Sequence, residues 1–307
     1  MAQFLGLTIL SFVLSAILLV PFIDFLYNRM KFRRQKQLTK DMFNQRTPIF
    51  DKFHSWKAGT PFGGGILIIF IVTLVTLWAY GLFSIEINPW KVSVILFTFI
   101  SFGLLGLYDD IKKLSGGNSA SVFFGLRFRH KFIIQWILAF IISYVIFWQL
   151  GYSFIFIRGI GLTNLGFLYV IFSAFVIVSF ANAFNIADGL DGLASGLLLI
   201  CLGAFLAISS TQLDQSVGIF IAVLMGSVAA FLYFNIYRAR LWLGDVGSLS
   251  LGASLAVIGL LSGKIIALGV IGGVFVLEVG SSLLQILAKK YMGRKVFPAS
   301  PLHLYLH

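Results

Sequence analysis

Nine apolar runs, each close to the length of one membrane crossing, occupy most of this 307-residue chain. They lie at about 4–27, 62–83, 91–108, 132–150, 165–181, 190–209, 216–234, 248–263 and 265–288. A helix needs roughly 20 apolar residues to cross the hydrocarbon core, where every backbone polar group must be satisfied internally. Runs this closely spaced leave no room for a separate soluble domain. The expected architecture is all-α: a polytopic transmembrane helix bundle of nine spans, forming one integral-membrane domain over 1–307. A mean hydropathy of +0.97 agrees. The first run reads as a span and not a cleavable signal, since no Lys or Arg precedes it and the basic cluster follows it. The single Cys201 falls inside an apolar run, which excludes a disulfide framework.

Orientation follows from the basic residues, which favour the cytoplasmic side of a membrane. Of the 23 Lys and Arg, 20 lie in the odd-numbered loops and the tail, nine of them in the first loop. Only Lys91, Arg158 and Lys264 lie in the even loops. The odd loops are therefore expected in the cytoplasm and the N-terminus outside. The net charge of +12 then belongs to the cytoplasmic face, where it suits anionic headgroups or an anionic substrate and not nucleic acid. Residues 152–163, with Gly159 and Gly161 between short apolar stretches, predict a small external hairpin.

The chain holds only eleven Asp and Glu residues, and five of them (Asp109, Asp110, Asp188, Asp191 and Asp245) sit at span ends facing the odd loops. An Asp at a helix centre costs on the order of 2.5–3.5 kcal/mol, less near the interface. Acids gathered in this way point to a shared cation or cationic substrate. Mg²⁺ is the natural candidate, because it takes few carboxylates, retains waters and completes its shell with phosphates. One Cys and four His make zinc a poor fit.

Asp109 and Asp110 end the third run, about 100° apart around a helix, so different roles are expected of them. Lys113 lies within reach of both at i+4 and i+3; the alternative is an interfacial charge cluster at a helix end. Asn182, Asn185, Asp188 and Asp191 recur every three residues as a polar ladder, with Gly189 and Gly192 allowing a break. Such a ladder is suited to reading the edge of a base or sugar, or else forms a polar kink satisfied within the bundle. Asp245, flanked by Gly244 and Gly247 ahead of the eighth run, is the first choice of metal ligand. The helix start that follows it favours anions. Trp242 is either a stacking platform or a member of an interfacial belt, and Asn235 is placed to face the same pocket. Lys57 and Lys131 are phosphate partners or positive-inside anchors. His303 in the tail reads as a solvated residue when taken alone, buried Glu278 as a functional group or an interhelical contact, and Gly63-Gly64-Gly65 as helix packing.

Together these motifs resemble the polyprenyl-phosphate N-acetylhexosamine-1-phosphate transferases, and within them the phospho-N-acetylmuramoyl-pentapeptide transferase branch. The similarity runs from Lys57 to His303. Its most specific elements are the stretch from Asn182 to Asp191 and Gly244-Asp245-Val246-Gly247-Ser248. The resemblance implies Mg²⁺-dependent transfer of a phospho-amino-sugar from a UDP-linked donor to undecaprenyl phosphate, releasing UMP at the cytoplasmic face of a bacterial inner membrane. It implies Asp109, Asp110, Asp245 and His303 as catalytic residues, with Asp245 on the metal. It further implies Asn182, Asn185, Asp188, Gly189, Leu190, Asp191, Asn235 and Trp242 on the nucleoside side, and Lys57, Lys113 and Lys131 as basic partners. Family members have ten spans and form dimers, so a tenth span beyond His307 and a homodimer are expected.

The tail departs from the branch pattern. Pro301-Leu302-His303-Leu304 keeps only the first of three family histidines, and Arg238 stands where a proline is usual. The altered stretch bears on the donor sugar, so a GlcNAc-1-phosphate or related transferase is the alternative within the superfamily. A secondary transporter is the alternative outside it. Transporter sites lie near the bilayer midplane, often between inverted repeats, whereas these acids sit at span ends and no internal repeat is present.

Overall fold

The computed structural model describes residues 2–28, 59–83, 87–115, 128–157, 159, 161–212, 214–298 and 300–302. Lys57 and His303 lie outside the described residues. Helix α1 runs Ala2–Asn28, α2 Gly64–Leu82, α3 Pro89–Ser115 and α4 Phe128–Leu150. A hairpin of β1 (Phe154–Ile157) and β2 (Gly161–Asn164) follows. Then come α5 Leu168–Ala187, α6 Leu193–Thr211, α7 Gln215–Asn235, α8 Gly244–Leu261, α9 Ile265–Ile271 and α10 Gly273–Met292. Among the described residues, eight of the helices are long and apolar enough to cross a membrane, and α9 and α10 pass the same test taken together.

The bundle is built around α7 and α8, most of whose residues are buried. Helix α1 lies against α7 through small and hydroxylated residues: Ser11 Oγ donates to the Val223 carbonyl at 2.7 Å, and Ser15 Oγ to Ser227 Oγ at 2.9 Å. Close approach through such residues is the usual way helices associate where lipid removes the hydrophobic drive. Leu5, Ile17, Phe70, Trp78, Leu104 and Trp148 are exposed. A bundle that shows many large apolar side chains outward and hides serines inside is made for lipid.

The ninth apolar run differs from the straight span its composition predicts. It breaks at Gly272 into α9 and α10, bent by 78°. A Cβ on Gly272 would stand 2.7 Å from the Phe180 ring and 2.9 Å from the Leu268 carbonyl, so the bend is packed hard against α5. Hydropathy averages over such a break and does not register it. Glu278 is buried on the inner stripe of α10 together with Phe275, Ser281 and Gln285. The expected hairpin is present as an antiparallel pair, Phe154 opposite Asn164 and Ile157 opposite Gly161.

Candidate active site

Alternation of direction brings the C-terminal ends of α3, α5 and α7 and the starts of α4, α6 and α8 to one end of the bundle. Backbone bonds pin this end. The Gly63 and Gly64 N–H groups donate to the Trp242 carbonyl at 3.0 and 2.9 Å, Gly65 N–H to Leu243 at 2.9 Å, and Trp242 N–H to Pro61 at 2.9 Å. The start of α2 is thereby stitched to the segment that leads into α8. Three glycines let the helices meet there. A Cβ on Gly65 would strike the backbone of Gly247, and one on Gly106 would strike the Asp245 carbonyl. The glycine triplet therefore serves helix packing, as its sequence suggests.

On this frame two carboxylates from different helices face one pair of ammonium groups. Lys113 Nζ lies 3.0 Å from Asp109 Oδ2 and 2.7 Å from Asp245 Oδ2. Lys131, from the first turn of α4, donates to the same two oxygens, at 3.0 Å to Asp109 and in a short contact with Asp245. Asn185 Nδ2 holds the other oxygen of Asp245 at 3.2 Å and donates to Ser248 Oγ at 2.6 Å. Asp109 is 2% exposed at its side chain and Asp245 17%, so the arrangement opens toward Asp245.

Asp110 does something else. Its Oδ2 accepts from the Val246 N–H at 3.1 Å, capping the start of α8 from another helix. The two adjacent aspartates thus make different contacts. The helix start expected to favour a phosphate instead already receives a carboxylate.

Other assigned positions move outward from the centre. Asn182 donates to Gln135 on α4 at 2.8 Å and to the Val178 carbonyl at 2.7 Å, so it cross-links α5 to α4. The polar ladder is not one helix face, because α5 ends at Ala187 and Gly192 adopts φ +74° before α6. Asp188, Gly189, Leu190 and Asp191 form the turn between them, half-buried, and Asp191 Oδ2 accepts from the Ala239 N–H at 3.2 Å. Asn235 is fully buried. Its Oδ1 accepts from Gly192 N–H at 3.1 Å and its Nδ2 donates to the Leu241 carbonyl at 3.0 Å, so it joins two loops and does not line a pocket. Trp242 is 2% exposed and is neither a stacking platform nor a belt residue. Sequence reasoning passed over Ser248 and Gln135. Ser248 stands inside the Gly244–Ser248 motif and was legible there, whereas Gln135 carries no signal beyond being a polar residue in an apolar run.

No group of three or more His, Cys, Asp or Glu side chains among the described residues is arranged to hold a metal ion. Asp109 and Asp245 nevertheless already share cationic neighbours. Hard carboxylate oxygens focused on one spot, with charge from Asp109, Asp110 and Asp245 outnumbering that from Lys113 and Lys131, fit a divalent ion that takes few protein ligands and completes its shell with water and phosphate.

The model of glycosyl transferase family 4 matches residues 92–263. The phospho-N-acetylmuramoyl-pentapeptide-transferase of Bacillus pumilus is 37% identical over 297 residues, 96% of this chain and 86% of the relative. That of Bacillus subtilis is 36% identical over 303 residues, covering 98% and 88%. That of Limosilactobacillus reuteri is 35% identical over 302 residues, covering 97% and 87%.

Proposed function

Because the chain belongs to glycosyl transferase family 4, and within it to the phospho-N-acetylmuramoyl-pentapeptide-transferases, we propose that it transfers phospho-MurNAc-pentapeptide from its UDP-linked donor to undecaprenyl phosphate. The products are the lipid-linked diphosphate sugar, the first membrane intermediate of peptidoglycan synthesis, and UMP. The observation that carries the reading is the convergence of Asp109 and Asp245 on Lys113 and Lys131 at one end of the bundle. Phosphoryl transfer asks a protein mainly for position and charge neutralisation, and this cluster offers both.

In the direct form of the reaction an oxygen of the lipid phosphate bonds to the sugar-bearing phosphorus as the bond to the UMP phosphate oxygen breaks. Asp109 takes the proton from the lipid phosphate. Lys113 and Lys131 turn from their carboxylates toward the diphosphate oxygens and offset the charge that UMP carries away. Asp245, held by Asn185, would hold Mg²⁺, which when bound neutralises the diphosphate. Asp110 keeps α8 and hence Asp245 in place. The Asp188–Asp191 turn forms the nucleoside side, with Asn182, Asn235 and Trp242 supporting it from behind. Lys57 and His303 are assigned to the basic and catalytic sets by family resemblance. The same reading puts the site on the cytoplasmic face of the inner membrane, where a UDP-sugar is available, in a homodimer.

The test is UMP release by the full chain with undecaprenyl phosphate, Mg²⁺ and either UDP-MurNAc-pentapeptide or UDP-GlcNAc. Release with the muramoyl donor is the expected result. Release with UDP-GlcNAc alone would move the chain to the sister branch. Release with neither, under conditions where a known relative is active, would refute the transferase reading.

A further inference from the structure

A second built site lies at the other end of the bundle. Eighteen residues of α3 separate Lys91 from Asp109, about 27 Å at 1.5 Å per residue, so nothing bound there touches the carboxylate cluster. The starts of α3 and α7 meet the ends of α4, α6 and α8 around a cavity of about 560 Å³, within the size range of small-ligand pockets. Its wall includes Asn88, Lys91, Tyr152, Gln212, Asp214 and Ser262, a mostly polar lining in a very apolar protein.

Two opposite charges sit together in that wall. Lys91 Nζ lies 2.6 Å from Asp214 Oδ2, and both side chains remain partly accessible, 19% and 14%. The pair is held from below. Asp214 Oδ1 accepts from the Val217 N–H at 3.2 Å as the cap of α7, the buried Ser216 Oγ accepts from the Asn88 N–H at 3.0 Å, and Tyr80 donates to the Ser216 carbonyl at 2.6 Å. Beside Lys91, Tyr152 donates to the Leu261 carbonyl at 2.7 Å, and Gln212 donates to the Ser262 carbonyl at 3.3 Å.

A lone anion or cation entering here would pair with one partner and face the like charge of the other, 2.6 Å from it. A zwitterion avoids that cost. Its anionic oxygen accepts from Lys91 while its own ammonium donates to Asp214, so four charges alternate around a ring. The cavity lies at the ends of membrane-spanning helices, at headgroup level, where phospholipids supply such a dipole at very high local concentration. We propose that this cavity binds the headgroup of a zwitterionic phospholipid of the leaflet opposite the transferase site. Its phosphate faces Lys91, and a primary ammonium, which has hydrogens to donate, faces Asp214. A quaternary ammonium has none and fits poorly.

The experiment is native mass spectrometry of the purified full chain, with phosphatidylethanolamine, phosphatidylcholine or phosphatidylglycerol titrated into detergent. The thermal midpoint is read in parallel. Phosphatidylethanolamine should be retained about tenfold better than the other two, the worth of one charge-assisted hydrogen bond. Asp214→Asn should erase the preference. Because that change also breaks the Lys91–Asp214 ion pair, Gln212→Trp, which fills the cavity and leaves the pair intact, should erase it as well. Equal retention of all three lipids, a preference for phosphatidylglycerol, or an ethanolamine preference that survives Gln212→Trp would each overturn the proposal. So would equal stabilisation by water-soluble O-phosphoethanolamine at matched concentration, because the ligand would then not be a lipid.

Discussion

Replacing Gly106 by Ala adds one methyl group at the contact that sets the position of Asp245. The new Cβ would overlap the Asp245 carbonyl and stand 2.6 Å from Val246 Cα, against 3.4 Å at the lower edge of ordinary contact. Both neighbours are backbone, so no side chain can swing away, and α3 and α8 must part by at least about 0.8 Å, the shortfall at Val246 Cα, and by more at the Asp245 carbonyl. Overpacking of this kind costs about 1–3 kcal/mol. The larger effect falls on the site, since the displacement separates Asp245 from Asp109 and Lys113 by the same order. A misplacement near 1 Å costs about 100-fold in rate. Gly103 provides the control on the same helix. Its added Cβ would meet the tip of the Ile69 side chain, which a rotamer change can move. UMP release and thermal midpoint are measured for both variants. Gly106→Ala should lose about 100-fold in rate while still folding, and Gly103→Ala should lose less than about threefold. Wild-type activity in Gly106→Ala, or equal losses in the two, would refute the claim that backbone contact at Gly106 positions Asp245.

Lys131→Met leaves Asp109 and Asp245 facing each other with one ammonium instead of two, and should lower the rate of UMP release about 100-fold; a loss confined to KM would show that Lys131 only binds substrate. Ser248→Ala removes the partner that fixes Asn185 behind Asp245 and should cost about 10-fold or more in activity with little change in thermal midpoint. Asp110→Ala removes the cap of α8 and should lower stability by about 1 kcal/mol, whereas Asp110→Asn, which keeps an acceptor, should retain most of it; equal stability of the two variants would contradict the capping role. Chelation with EDTA should abolish UMP release, and added Mg²⁺ should restore it.

The outline of the bundle was open to reading because crossing a membrane is a local demand. Each apolar run satisfies its own backbone bonds, so its length and composition announce a span without knowledge of its neighbours. Hairpin glycines are equally local, since Gly159 and Gly161 both adopt positive φ. The bend at Gly272 escaped because it depends on Phe180, far away in the chain.

Within the site, the sequence by itself determined the chemistry that gathers at one end: scarce acids and their lysines at span termini, where charge is tolerable and useful. Which of them act together was decided only by the tertiary structure. Asp110 caps a helix start 136 residues away, Asn185 reaches Asp245 across 60, and Lys131 joins two aspartates from separate helices. Asn235 and Trp242 carry the same motif signals as Asp245, yet they are buried in the joints between loops. A motif states which groups are available. Only packing, by settling which side chains are sealed between helices and which face the opening, determines the use each one is put to.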